Sequence, residues 1–228
     1  MSKIKQLTDL CQWELKSGSH EWPGPGGGTC INEAAIVASG FEYKSVGEHA
    51  DCPPCFSPVI SAYLISINDS MPDEIRQKLM RFVTRLSGSS DTPAVEQQRL
   101  EYIILETVKR IVSLSMDAVN LTAMAAMCRS VVTLDDARKA AEAVYATSST
   151  YVAVYAVYAT SATNAAAKVG YAADAAAEAA VNDAAVYAHA IEIVDGALAI
   201  GNQATDSDAA LVLARMNSAR KIKAYAGT

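Results

Sequence analysis

The sequence predicts an all-α protein: an N-terminal helical module followed by an alanine-rich helical bundle or hairpin. Three observations carry this expectation. All seven prolines fall at or before Pro93, and eight of the twelve glycines lie in the same part, so the last 135 residues hold almost no helix breakers. Apolar residues recur at steps of three and four through several stretches. From about residue 134 roughly a third of the residues are alanine, the strongest helix former. The expected division is residues 1–91, a helical module with glycine-rich and CPPC loops, and residues 92–228, a helical region that becomes alanine-rich from about 134.

Taken in order, residues 2–16 have the look of a short helix, and the loop SGSHEWPGPGGG follows. INEAAIVASG reads as a helix that Thr29 caps and Gly40 ends, and FEYKSV as one short strand at most. Helical spacing returns after Pro58 in VISAYLISIND. SMPDEIRQKLMRFVTRLSG carries a set of helix signals. Ser70 suits a cap, Pro72 the first turn, Asp73 and Glu74 the positive end, and Gly88 the stop. Its apolar stripe is Ile75, Leu79, Phe82, Val83 and Leu86. Pro93 opens a further helix with Leu100, Ile103, Ile104, Val108, Ile111 and Val112 on its inner face, and DAVNLTAMAAMCRSV is another.

TLDD at 133–136 resembles a capping box, with Thr133 as cap and Asp136 answering it. A heptad seam then runs through Leu134, Ala137, Ala141 and Val144 to Tyr151, Tyr155 and Tyr158, broken at Ser148 and again at Asp183. One rod from 134 to 204 would reach about 105 Å at 1.5 Å per residue, long for a chain of this size. Two or three antiparallel helices are therefore expected, with an intermolecular coiled coil as the alternative. The last helix lies in ATDSDAALVLARMNSARKIKAYAG, capped by Asp206 or Ser207.

Charge and composition narrow the function classes. A net charge of −6 argues against a whole-protein nucleic-acid footprint, which is normally basic. The charge-free stretch from Ala143 to Ala167 is interrupted by Ser, Thr and Asn and gains little from entering a membrane, so no membrane role is expected. The start of the chain has no apolar run of the secretory type, and the five cysteines are an odd number. Together these suggest a reducing, cytoplasmic setting.

Two stretches hold the residues with chemical potential. In EHADCPPCFSPVI, Cys52 and Cys55 have the C-x-x-C spacing of a metal grip or a redox pair, and His49 adds an imidazole three residues before. A structural zinc would need a fourth ligand, for which Cys30 and His20 are nearest in sequence. The structural alternative is a proline-stiffened turn whose thiols pack as small apolar groups. In WPGPGGGTCINEAAIV a glycine run leads into a helix, where exposed N–H groups suit an anion. Cys30 near that helix start is the candidate nucleophile, because the helix dipole lowers a thiol pKa, with His20 or His49 as partner and Asp51 behind. Tyr151, Tyr155 and Tyr158 share a helical face and are candidate interface anchors, or else gap fillers between alanines. His189 reads as a packed or surface histidine.

GGGTCINEAAIVASGFEY, DCPPCFSPVISAYLISINDSMPDEIRQKL and ALAIGNQA resemble a family of uncharacterised bacterial and phage-borne proteins, in which a similar N-terminal module precedes a variable alanine-rich region. The similarity spans roughly the first 90 residues and the final 35. It implies two distinct units and brings no activity, cofactor or partner with it.

The expected function is a non-enzymatic helical interaction or assembly protein, self-associating through the alanine- and tyrosine-rich helices, with protein as its partner and no cofactor. One alternative is a zinc-stabilised binding module using His49, Cys52 and Cys55. The other is a cysteine-dependent enzyme centred on Cys30.

Overall fold

The computed structural model describes residues 13–20, 28–147, 183–201 and 208–226. In chain order its α-helices are α1 (Ile31–Ala38), α2 (Pro58–Ser70), α3 (Asp73–Arg76), α4 (Pro93–Glu106), α5 (Ser113–Ala118), α6 (Thr122–Arg129), α7 (Leu134–Thr147), α8 (Asp183–Leu198) and α9 (Ala209–Ala226). Tighter 3-10 turns form at His49–Asp51 and Gln77–Phe82, and a π-helical segment, Thr107–Val112, joins α4 to α5. Among the described residues the only extended pairing is an isolated parallel bridge between Leu15 and Thr29. The fold is all-α, as the spacing predicts.

Local chemistry places most of these ends. The Ser57 hydroxyl accepts the Ile60 N–H at the start of α2, and Pro58 fills the first turn, where its missing donor costs nothing. Thr92 and Pro93 repeat the arrangement at α4. At α7, Thr133 Oγ1 accepts the Asp136 N–H at 3.1 Å and Asp136 Oδ2 accepts the Thr133 N–H at 2.9 Å, the reciprocal box that TLDD suggests. Gly40 ends α1 with φ +91°, and Arg215 of α9 donates to the free Ala38 carbonyl there at 2.9 Å.

Several expectations are corrected. Residues 13–16 are extended rather than helical, and residues 1–12 of that expected helix lie outside the described residues. The side chain of Gln77 both accepts from Leu15 N–H (3.0 Å) and donates to the Leu15 carbonyl (2.9 Å), and Asn68 donates to the Lys16 carbonyl (2.8 Å). These bonds satisfy a backbone that no helix satisfies. Residues 41–46 form no strand. The cap of α1 is Cys30 rather than Thr29, and Asp208 caps α9, its Oδ1 accepting the Leu211 N–H at 2.9 Å; Asp206 and Ser207 lie outside the described residues.

The segment from Pro72 to Gly88 is not one α-helix. After one turn, α3, it tightens into the 3-10 stretch Gln77–Phe82. A three-residue repeat stacks positions i and i+3, and here it stacks Leu79 on Phe82, both fully buried. Arg81 and Arg85 flank the Phe82 ring at 5.5 and 5.8 Å and both pair with Asp195 of α8. Ser70 is the last residue of α2, not the cap of α3.

The buried apolar residues form one cluster, to which helices on both sides of residue 92 contribute. α8 packs against α2, α4 and the π-helical segment, α9 packs against α1, and α7 packs against α4 and α6. Gly196 opens α8 to its neighbour: a Cβ there would meet the Tyr102 hydroxyl at 1.9 Å. Arg99 is fully buried, donating to Ser89 O (2.6 Å), Glu96 Oε1 (2.7 Å) and Ile200 O (2.9 Å), so one guanidinium joins the start of α4 to the end of α8. Of the described helices, none is long and apolar enough to cross a membrane.

Candidate functional site at the glycine and CPPC loops

The glycine loop and α1 are organised by Glu33, the third residue of α1, which is fully buried. One carboxylate oxygen accepts the N–H groups of His20 (2.9 Å) and Val46 (3.1 Å); the other accepts the Cys30 N–H (2.8 Å) and faces His20 Nδ1 at 3.1 Å. Because a carboxylate only accepts, Nδ1 carries the imidazole proton in this arrangement. Tyr43 closes the group by donating to the His20 carbonyl at 2.7 Å. Three backbone N–H groups, two from the ends of the glycine loop and one from the segment after α1, therefore converge on one buried carboxylate. Gly28 is required beneath them, since its φ is +69° and a Cβ would meet Lys16 Cγ at 2.6 Å.

Cys30 and His20 thus lie around the same carboxylate, but not as a catalytic dyad. The Cys30 thiol accepts from the Glu33 N–H at 3.4 Å as a helix cap, and among the described contacts it has no hydrogen bond to an imidazole. Burial and then the Glu33 carboxylate push this thiol well above its ordinary range. Both act against the lowering expected of a helix start. Desolvation and a buried anion outweigh the dipole of an eight-residue helix, and both favour the neutral thiol. Asp51 orients no histidine either: it pairs with Lys44 at 2.8 Å and accepts the N–H groups of Gly47 and Glu48. Lys44 first, then these backbone donors, hold its carboxyl below the usual carboxylate range.

The CPPC turn is built by two successive turns, with Cys52 N–H donating to His49 O (3.1 Å) and Phe56 N–H to Pro53 O (2.9 Å). Its far end is tied down where Ser90 N–H donates to Cys55 O at 3.0 Å and Ser57 N–H to Ser89 Oγ at 2.9 Å. Cys52 and Cys55 are free, half-buried and packed against the core cluster. Burial pushes the Cys52 thiol up to about 11, and the buried Ser61 hydroxyl of α2 offsets part of the rise. His49 sits half-buried in the preceding 3-10 turn. Among the described residues no group of three or more His, Cys, Asp and Glu is placed to hold a metal ion, so His49, Cys52 and Cys55 do not assemble as the ligand set their spacing suggests.

Elsewhere, His189 on α8 lies 2.7 Å from the Arg110 guanidinium, which also pairs with Glu192. Tyr151, Tyr155 and Tyr158 lie outside the described residues. An open cleft of about 290 Å³ runs along α6 and α7, lined by Met127, Ser130, Val131, Asp136, Lys139 and Ala140. Sequence reasoning missed Glu33 and Arg99 altogether. For Glu33 a signal exists, since C-x-x-E is a capping box if cysteine is admitted as the cap. For Arg99 the sequence offers only Glu96 three residues before it, and the Ser89 and Ile200 carbonyls that complete its burial are remote. No family model, no curated protein and no solved structure matches the chain.

Proposed function

We propose that this chain is a non-enzymatic helical interaction and assembly protein that associates with further copies of itself through its alanine- and tyrosine-rich helices. The observation that carries the reading is the packing of α7, the helix that leads into that segment. It buries Ala137, Ala140, Ala141 and Val144, each at 1% exposure or less, so its backbone approaches its neighbours closely. α8 does the same with Ala190, Ala197 and the Gly196 notch. In the sequence the same small-residue pattern continues through Tyr151, Tyr155 and Tyr158, whose spacing repeats every three or four residues. Rigid tyrosines supply contact area that alanines lack.

The residues with chemical potential also have structural employment, which supports the same reading. Cys30 caps α1, His20 and Glu33 pin loops, and His189 joins an ion pair. The free thiols suit a reducing, cytoplasmic setting. Sedimentation velocity at high micromolar concentration tests the proposal: a dimer or larger species is expected, and the triple variant Tyr151→Ala, Tyr155→Ala, Tyr158→Ala shifts it to monomer. A wild-type protein that stays monomeric overturns it.

A further inference from the structure

Cys52 and Cys55 are the one pair of described cysteines that share a loop and reach the surface. Cys30 and Cys128 are buried, at 3% and 0% exposure, which keeps them from a dissolved oxidant. The two half-buried thiols are separated only by Pro53 and Pro54, whose rings fix φ and restrict the loop. Hydrogen bonds hold the loop on both sides, at His49 O, at Pro53 O and through Ser90 to Cys55 O. A loop restricted in this way loses little chain entropy when its ends are joined. Neither thiol is committed to a metal group among the described residues.

We infer that the CPPC turn is a thiol–disulfide site, at which Cys52 and Cys55 close reversibly into an intramolecular disulfide with a low-molecular-weight disulfide as oxidant. The Cys55 thiolate bonds to one sulfur of the oxidant, whose S–S bond breaks, and the departing thiolate takes up a proton. Cys52 then gives its proton to water and attacks the Cys55 sulfur. The bond between Cys55 and the small thiol breaks, the Cys52–Cys55 bond forms, and the second small thiol leaves. Two protein thiols lose two electrons, and one external disulfide becomes two thiols. The site is independent of the self-association proposed above.

The test uses full-length protein with Cys11→Ser, incubated with oxidised glutathione at mildly alkaline pH, then alkylated and mapped by mass spectrometry. In the expected product the one peptide that holds both Cys52 and Cys55 is two hydrogen atoms lighter and unalkylated, and it returns to two alkylatable thiols with dithiothreitol. Cys52→Ser is expected to stop at a glutathione adduct on Cys55, with circular dichroism confirming that the variant folds. If the parent protein accumulates a stable adduct on either cysteine without closing the ring, or keeps both thiols, the inference fails.

Discussion

The loops around Glu33 and the helices α7 and α8 solve the same problem in opposite ways. In α7 and α8 the helix satisfies its own backbone, so alanine faces and a glycine notch suffice to bring the elements together. Around Glu33 little backbone is regular, and the N–H groups of His20, Cys30 and Val46 must find side-chain partners. A single buried carboxylate serves all three. The loop-rich part therefore depends on a few irreplaceable polar atoms, while the alanine-rich part depends on shape spread over many small contacts.

The largest expected effect is on the first region. Glu33→Ala leaves two buried N–H groups, a part-buried third and the His20 ring without their acceptor, and is expected to lower unfolding free energy by about 3–5 kcal/mol. Urea unfolding followed by circular dichroism reads this directly, and a loss comparable to a surface substitution would show that the carboxylate is not the organiser.

Alkaline pH is the next largest lever. Burial raises Cys30 and Tyr63 above their ordinary values of 9.0 and 10.0. A raised acid stabilises the fold while it is neutral, so this contribution is complete below the unfolded value and is lost as pH climbs above it. Stability should hold below pH 9.0 and then fall, with each fully buried group contributing at most about 1.4 kcal/mol per pH unit. Cys30→Ser keeps a capping oxygen and removes the thiol, so its stability–pH curve should fall less steeply than the wild type's. Identical slopes would contradict the burial of this thiol.

A substitution in α8 probes the second region. Gly196→Ala places a methyl group against the Tyr102 hydroxyl and should cost about 1–3 kcal/mol by overpacking. Combining it with Tyr102→Ala should recover part of that loss, and strictly additive effects in the double-mutant cycle would argue against the contact. Thr133→Ala removes the α7 cap and is expected to cost about 1 kcal/mol. Smallest of all, Arg138→Ala breaks only exposed pairs with Asp135 and Glu142 on α7 and should leave the denaturation midpoint unchanged.

Much of the helical layout was legible. Pro58, Pro93 and the Thr133–Asp136 box each mark a helix start in the sequence, and each start is found there. The apolar stripe running from α4 through the π-helical segment was legible too, because Ile103, Ile104, Val108, Ile111 and Val112 follow a helical repeat and are buried, with Leu100 partly buried against the core. The candidate site was much less so. The spacing of His49, Cys52 and Cys55 suggests ligands, yet spacing says nothing of which way a proline-locked turn directs its thiols. A cysteine at a helix start suggests a thiolate, yet its ionisation depends on a carboxylate and on a depth of burial that the local motif does not encode.

The amino-acid sequence alone determined where helices start and stop, because caps, prolines and apolar periodicity act over a few residues of contiguous chain. Tertiary structure decided the rest: that residues 13–16 run extended against Asn68 and Gln77, that the chain after α3 tightens over Leu79 and Phe82, and that Glu33 ties the glycine loop to the segment after α1. Those outcomes depend on partners tens of residues away, and on how far each group is removed from water, which only the packed chain sets.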